Sequence, residues 1–154
     1  MPEFEFISPD DKAALLGLSS PELSQIARPT VIDLGYKLHQ AQTHDQFQER
    51  FAQAQYELVL LEDLFDCPIP QQNISLTTLQ GMQMARRRHA TIVLFGEDFE
   101  TLNSMQAYQQ SVHAVINKRD LAKLKSILQQ VLNDSSMFMN VFKDVQLRFA
   151  QGKR

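Results

Sequence analysis

Residues 56–62 read Tyr-Glu-Leu-Val-Leu-Leu-Glu, and Asp63 follows. The apolar run has no polar alternation. That pattern suits a strand covered on both faces, as in the middle of a parallel sheet. The run closes on carboxylates, and an open α/β sheet gathers its chemistry at the carboxyl ends of its strands.

Working outward, Thr91-Ile92-Val93-Leu94-Phe95 is a second buried strand, closed by Gly96-Glu97-Asp98, and Val112-His113-Ala114-Val115-Ile116 is a third. Ser75 is expected to cap a helix carrying Leu76, Leu79, Met82 and Met84, with the methionines as core filler. Another helix is expected over roughly 99–110. Asp120 is expected to cap a long helix with Leu121, Leu124, Ile127, Leu128, Val131 and Leu132 on one stripe. The two prolines of Asp66-Cys67-Pro68-Ile69-Pro70 make that stretch a loop.

Upstream, Lys37-Leu38-His39-Gln40-Ala41 reads as a strand. Thr43 or His44-Asp45 opens a helix with Phe47, Phe51 and Ala54 at three- and four-residue spacing. Ser19-Ser20-Pro21-Glu22 has a Ser cap, Pro at the first helical position and an acid in the first turn. Its helix runs to Asp33, bent or broken near Pro29, and Gly35 suits the turn that ends it. Apolar residues in 11–18 fall at helical spacing. Phe4-Glu5-Phe6-Ile7 is then the first strand. Strands alternating with helices imply right-handed crossovers and a parallel sheet.

The 154 residues suit one domain with a real core. A formal net charge of -3 gives no electrostatic reason to expect a nucleic-acid partner. The short cluster Arg86-Arg87-Arg88-His89 reads as the solvated last turn of a helix, with a docking patch as the other reading. No apolar stretch is long enough to span a membrane. The amino terminus lacks the basic and apolar regions of a signal peptide, so the cytoplasm is the expected compartment. Cys67 is the single cysteine, which rules out an intramolecular disulfide and a cysteine-based zinc site.

Enzymatic motifs are missing from the sequence. His39, His44, His89 and His113 show no metalloprotease pairing. The serines lie outside any Gly-x-Ser-x-Gly elbow, and the five scattered glycines build no phosphate-cradling loop. Cys67 beside Asp66 reads as inert.

Several stretches, in order, resemble one family. Gly35-Tyr36 resembles the Gly-Tyr before the second strand of response-regulator receiver (CheY-like) domains. Tyr56 to Glu62 resembles their phosphoacceptor strand, and Ile92-Val93-Leu94 the strand before their switch Ser/Thr. Val115-Ile116-Asn117-Lys118-Arg119-Asp120-Leu121 resembles their Leu-Ile-Lys-Pro-Phe-Asp-Leu. The resemblance implies a flavodoxin-like α/β fold: a five-stranded parallel sheet in order 2-1-3-4-5 with helices on both faces. Residues 1–133 would form the receiver-like domain and 134–154 a helical extension.

The same resemblance implies five working side chains, and this chain departs at up to all five of them. Two acids at the end of the first strand would hold a divalent ion; Ser8 and Pro9 stand there, with Asp10 and Asp11 just beyond. Glu62 stands for the nucleophilic Asp, and its extra methylene shifts the carboxylate by about 1 Å, a misplacement that can be severe for chemistry. Asp63 is adjacent but points to the opposite side if the strand continues. Phe95 takes the switch Ser/Thr position. Asn117 takes the Lys position and Lys118 that of the Pro, unless a one-residue slip restores the Lys.

The expected function is a phosphorylation-independent pseudo-receiver: a protein-interaction module of bacterial signalling, not an enzyme, with no metal or cofactor. The alternative is a two-component phosphoacceptor using Asp63 with Asp10 or Asp11. By family resemblance the docking surface includes Met105, Tyr108, Gln109, Lys118 and Arg119. A carboxy-terminal stripe, Phe138, Val141, Phe142, Val145 and Phe149, falls on one helix face. It either packs back on the domain or joins two copies, and a homodimer is the favoured partner arrangement.

Overall fold

The computed structural model describes residues 11–82 and 90–134. Its strands are β1 Ala13–Gly17, β2 Lys37–Ala41, β3 Leu58–Glu62, β4 Thr91–Gly96 and β5 Ala114–Asn117. Its helices are α1 Pro21–Asp33, α2 His44–Gln53, α3 Ile74–Gly81, α4 Ser104–Gln110 and α5, helical over 124–134. All five strands pair in parallel in the order β2-β1-β3-β4-β5, as the family resemblance implied.

Strand alternation divides the core into two layers. Leu58 and Leu60 face one side with Ala14, Leu16, Val93, Phe95 and Ile116, under α1 (Leu23, Ala27, Val31) and α5 (Leu124, Leu128). Val59 and Leu61 face the other with Leu15, Ile92, Leu94 and Val115, under Phe47 of α2, Leu76 and Leu79 of α3 and Ala107 of α4. Every residue of β3 and β4 is buried, so apolar runs without alternation are what this sheet requires.

The first strand departs from the sequence reading. Expected at Phe4–Ile7, which lies outside the described residues, it is Ala13-Ala14-Leu15-Leu16-Gly17, buried throughout. A short apolar run fits helix and doubly covered strand equally well by periodicity. Here the pairing of Ala14 with Leu58 and of Leu16 with Leu60 decides. The shift moves the whole edge where chemistry is sought.

Other local readings divide. Pro29 sits inside an uninterrupted α1. Gly35, at φ +93, ends that helix, with its N–H donating to Ile32 O and that of Tyr36 to Val31 O. Thr43 caps α2 as expected. Asn73, not Ser75, caps α3, its side chain accepting from Leu76 N. Asp120 caps nothing; it lies in a 3-10 stretch, Lys118–Lys123, and accepts from the Thr101 hydroxyl. Met84, the cluster Arg86–His89 and the stripe Phe138, Val141, Phe142, Val145 and Phe149 lie outside the described residues.

Candidate functional site

The carboxyl edge of the sheet brings together the ends of β1, β3 and β5. With β1 at 13–17, the segment leaving it is Leu18-Ser19-Ser20, directly before α1. Ser20 is the residue before the first helical turn, yet its side chain makes no capping bond. It turns instead to Glu62. Glu62 Oε1 accepts from Ser19 N at 2.8 Å and Ser20 N at 2.9 Å. Its Oε2 accepts from Ser20 Oγ at 2.7 Å and from Lys118 Nζ at 2.5 Å.

Glu62 is 1% exposed, so this carboxylate is held by protein donors alone. A buried charge is tolerated when it is paired and hydrogen-bonded. The amino terminus of α1 adds a favourable dipole. Burial pushes the Glu62 carboxyl up. The Lys118 ammonium, the Ser20 hydroxyl and the two backbone N–H bonds outweigh burial and hold it below its ordinary value.

Asp63 is the counterpart. It is also buried, and its backbone N–H continues the sheet pairing by donating to Phe95 O at 2.8 Å. Among the described residues its Oδ1 has no hydrogen-bond partner, while Lys118 Nζ stands 3.9 Å away. Burial raises the carboxyl; Glu62 and Asp98 add to the rise, and Lys118 and the Leu64 N–H oppose it without reversing it. A Cβ on Gly96 would lie 2.6 Å from Asp63 Oδ2, so the strand passes too close for any side chain. Asn73 Nδ2 donates to the carbonyls of both Glu62 and Asp63, fixing the strand end.

Phe95 is the register partner of Glu62 on β4, shares its face and is wholly buried. Asn117 is turned away from the carboxylates. Its Nδ2 donates to the carbonyls of Glu97 and Phe99, and its Oδ1 accepts from Arg119 N. Lys118, not Asn117, reaches the carboxylates, the arrangement that a one-residue slip implied. Asp11 lies at the opposite, amino end of β1, 3.1 Å from Lys37 Nζ, so it cannot join Asp63. Ser8, Pro9 and Asp10 lie outside the described residues.

Ser19 and Ser20 were missed as site residues because 11–18 reads as a helix. The signal was available. If 13–18 is a strand, Ser-Ser-Pro-Glu opens at the carboxyl edge of the sheet.

The receiver resemblance implies a divalent ion, and these residues do not fit one. Hard cations want several carboxylate or carbonyl oxygens. The β1 end offers serines, both Glu62 oxygens are taken by N–H, O–H and ammonium donors, and the Lys118 cation already faces both carboxylates. Among the described residues no group of three or more His, Cys, Asp or Glu could hold a metal.

Of the residues expected on the docking surface, Met105 is 64% and Tyr108 80% exposed on α4, Gln109 is exposed on the same helix, and Arg119 is exposed on the 3-10 stretch after β5. His44 is a packing residue: its Nδ1 accepts from Ser75 N and lies 2.8 Å from Ser75 Oγ, and its ring meets Phe65 edge-on. No helix among the described residues is long and apolar enough to cross a membrane.

No family model matches the chain, and no curated protein matches it by sequence. Solved structures do match by shape. NtrX from Brucella abortus in complex with ADP is 15% identical, with a TM-score of 0.65 over 94% of this chain and 30% of that one. The chain thus spans under a third of the NtrX it matches. A CheY-like response regulator receiver domain protein from Methanospirillum hungatei is 13% identical, with a TM-score of 0.62 over 83% of this chain and 98% of that one. The chemotaxis response regulator CheY4 of Vibrio cholerae is 13% identical, with a TM-score of 0.57 over 79% and 98%. The fold of this chain is that of CheY-like response-regulator receiver domains.

Proposed function

We propose that this chain is a receiver-fold interaction module of bacterial signalling that works without being phosphorylated. One observation carries the reading: the residue at the end of β3 is a Glu whose two carboxylate oxygens are saturated by Ser19, Ser20 and Lys118. A carboxylate that accepts four hydrogen bonds, one from a cation, is a poor nucleophile. It is also walled from solvent. Phosphoryl transfer rests on positioned cations around the transferring group, and among the described residues the cation paired here, Lys118, already neutralises Glu62. Phe95, buried beside Glu62, offers no hydroxyl to a phosphoryl group.

The partner is a protein, bound through exposed Met105, Tyr108 and Gln109 of α4 and exposed Arg119 after β5. A second copy of the chain is one candidate, and the cytoplasm is the proposed compartment. One feature favours the rival phosphoacceptor reading: the unpartnered Asp63 Oδ1 near Lys118. That reading pairs Asp63 with Asp10 or Asp11; Asp11 sits at the wrong end of the sheet, and Asp10 lies outside the described residues.

The test is incubation with acetyl phosphate, or with a beryllofluoride mimic and Mg²⁺, read by intact mass and NMR shifts. The expected result is no acid-labile adduct and no shift at Glu62 or Asp63. A stoichiometric adduct on Asp63 would overturn the proposal in favour of the phosphoacceptor.

A further inference from the structure

Two carboxylates at the end of β3 face one ammonium, and they are served unequally. Glu62 has four donors; Asp63, with its side chain 10% exposed, has the Leu64 N–H, but its Oδ1 has no hydrogen-bond partner among the described residues. Lys118 Nζ lies 2.5 Å from one and 3.9 Å from the other. We propose that Glu62 and Asp63 are alternative stations for the Lys118 ammonium, so that the charge on Asp63 sets how firmly Lys118 holds Glu62 and the start of α1. The inference concerns regulation of the same site. It rests on Glu62 as an internal latch, not on the lack of phosphotransfer, so the two readings can fail separately.

The argument is geometric first. An ammonium has three donors and swings on four methylenes. A displacement of little more than 1 Å separates its present place from hydrogen-bond range of Asp63 Oδ1. With Asp63 neutral, its unpartnered oxygen is a tolerable polar group and Lys118 belongs wholly to Glu62. With Asp63 charged, a buried carboxylate that has the Leu64 N–H as a donor but no cation within hydrogen-bond range is costly. The only cation the described contacts place near it is Lys118, and moving Lys118 relieves that cost by weakening the bond to Glu62. The other ionisable groups facing Asp63 all push in one direction. Glu62 from β3 and Asp98 from the segment after β4 disfavour its charge. The Cys67 thiol, bonded to the Asp63 carbonyl at 3.6 Å, has its own ionisation opposed by Asp63. Burial raises the Asp63 carboxyl above its ordinary value, while the donors hold that of Glu62 below its own.

Lys118 opens the 3-10 stretch Lys118–Lys123, which carries Arg119 of the proposed docking surface, and Glu62 ties the start of α1. A proton on Asp63 would therefore tighten both segments, and its loss would loosen them.

The test is a carbon- and nitrogen-detected NMR titration of the whole chain from acid to neutral pH. It follows Asp63 Cγ, Lys118 Cε and Nζ, and the amides of Ser19, Ser20 and Arg119. The expected result is one shared inflection above the ordinary aspartate value at all of these nuclei. In Asp63→Asn that inflection should vanish from Lys118, Ser19 and Ser20. Titration of Asp63 with no response at Lys118 or at the serine amides would overturn the inference, and so would an inflection that survives in Asp63→Asn. If Asp63→Asn does not fold, the wild-type titration decides by itself. A phosphoryl adduct on Asp63 would sink the proposed function and leave this titration unaffected.

Discussion

Glu62 Oε2 and Lys118 Nζ meet at 2.5 Å although one ends β3 and the other follows β5, strands that are separated by β4. Two strand spacings amount to roughly 10 Å, a gap that only long side chains bridge. The pair reaches across the end of β4, where buried Phe95 is the register partner of Glu62. Glutamate is therefore suited to this position for its reach: one carboxylate touches the serines after β1 and the lysine after β5.

Removing one partner of this pair should be costly. Lys118→Met leaves Glu62 charged and buried, and the expected loss is about 3 kcal/mol or more by urea unfolding at neutral pH. The double variant Glu62→Gln with Lys118→Met should lose less than the two single changes together, since it leaves no orphaned charge. Equal additive losses would mean that the pair is not coupled in solution.

The two acids should give stability opposite pH slopes. Glu62 is lowered, so its contribution is present above its unfolded value and fades as pH falls through the folded value. Asp63 is raised, so its protonated form favours folding below its unfolded value, and that advantage is lost as pH rises through the folded one. Asp63→Asn should therefore raise the urea midpoint at neutral pH and lose that advantage in acid. A variant less stable at neutral pH than in acid, relative to wild type, would contradict this.

Tyr56 should titrate late. Its hydroxyl lies 2.8 Å from His39 Nδ1, and burial pushes the phenol up to about 12, against a small opposing pull from Arg50. The folded value exceeds the unfolded one, so the stability it confers is complete below the unfolded value and disappears as pH rises through about 12. Ultraviolet titration should show a phenolate step near about 12 that is absent in Tyr56→Phe. The same variant should lose about 1 kcal/mol at neutral pH.

Much of the fold was legible because parallel sheets write buried strands as unbroken apolar runs, and Leu58–Leu61 and Ile92–Phe95 are such runs. The strand order followed from the family resemblance. The first strand failed for the same reason the others succeeded: Ala13-Ala14-Leu15-Leu16 is apolar everywhere, so its period says nothing, and only pairing with β3 distinguishes it from a helix. That error carried the expected pocket from Ser19 and Ser20 to residues 8–11. Glu62, Asp63 and Lys118 could be named from sequence, since each lies at a strand end. Their unequal treatment could not. It depends on which backbone N–H groups point inward, and no side-chain pattern records that.

Removing the Glu62 side chain should convert the latch into an oxyanion site. In Glu62→Ala the donors of Ser19 N, Ser20 N, Ser20 Oγ and Lys118 Nζ would still converge on one space, now holding a vacancy the size of a small carboxylate. The variant should be destabilised by about 3 kcal/mol or more, because Lys118 loses the nearer of its two carboxylates and two backbone donors are orphaned. Acetate should restore part of that loss by binding the folded state alone, raising the melting temperature progressively with its concentration. Chloride at equal ionic strength controls for screening, which acts on all charges alike. Wild type should show no acetate-specific gain, since its own carboxylate fills the space. Rescue by chloride and acetate alike would trace the effect to general screening, whereas rescue by acetate alone, in the variant alone, would locate it in the space that Glu62 occupies.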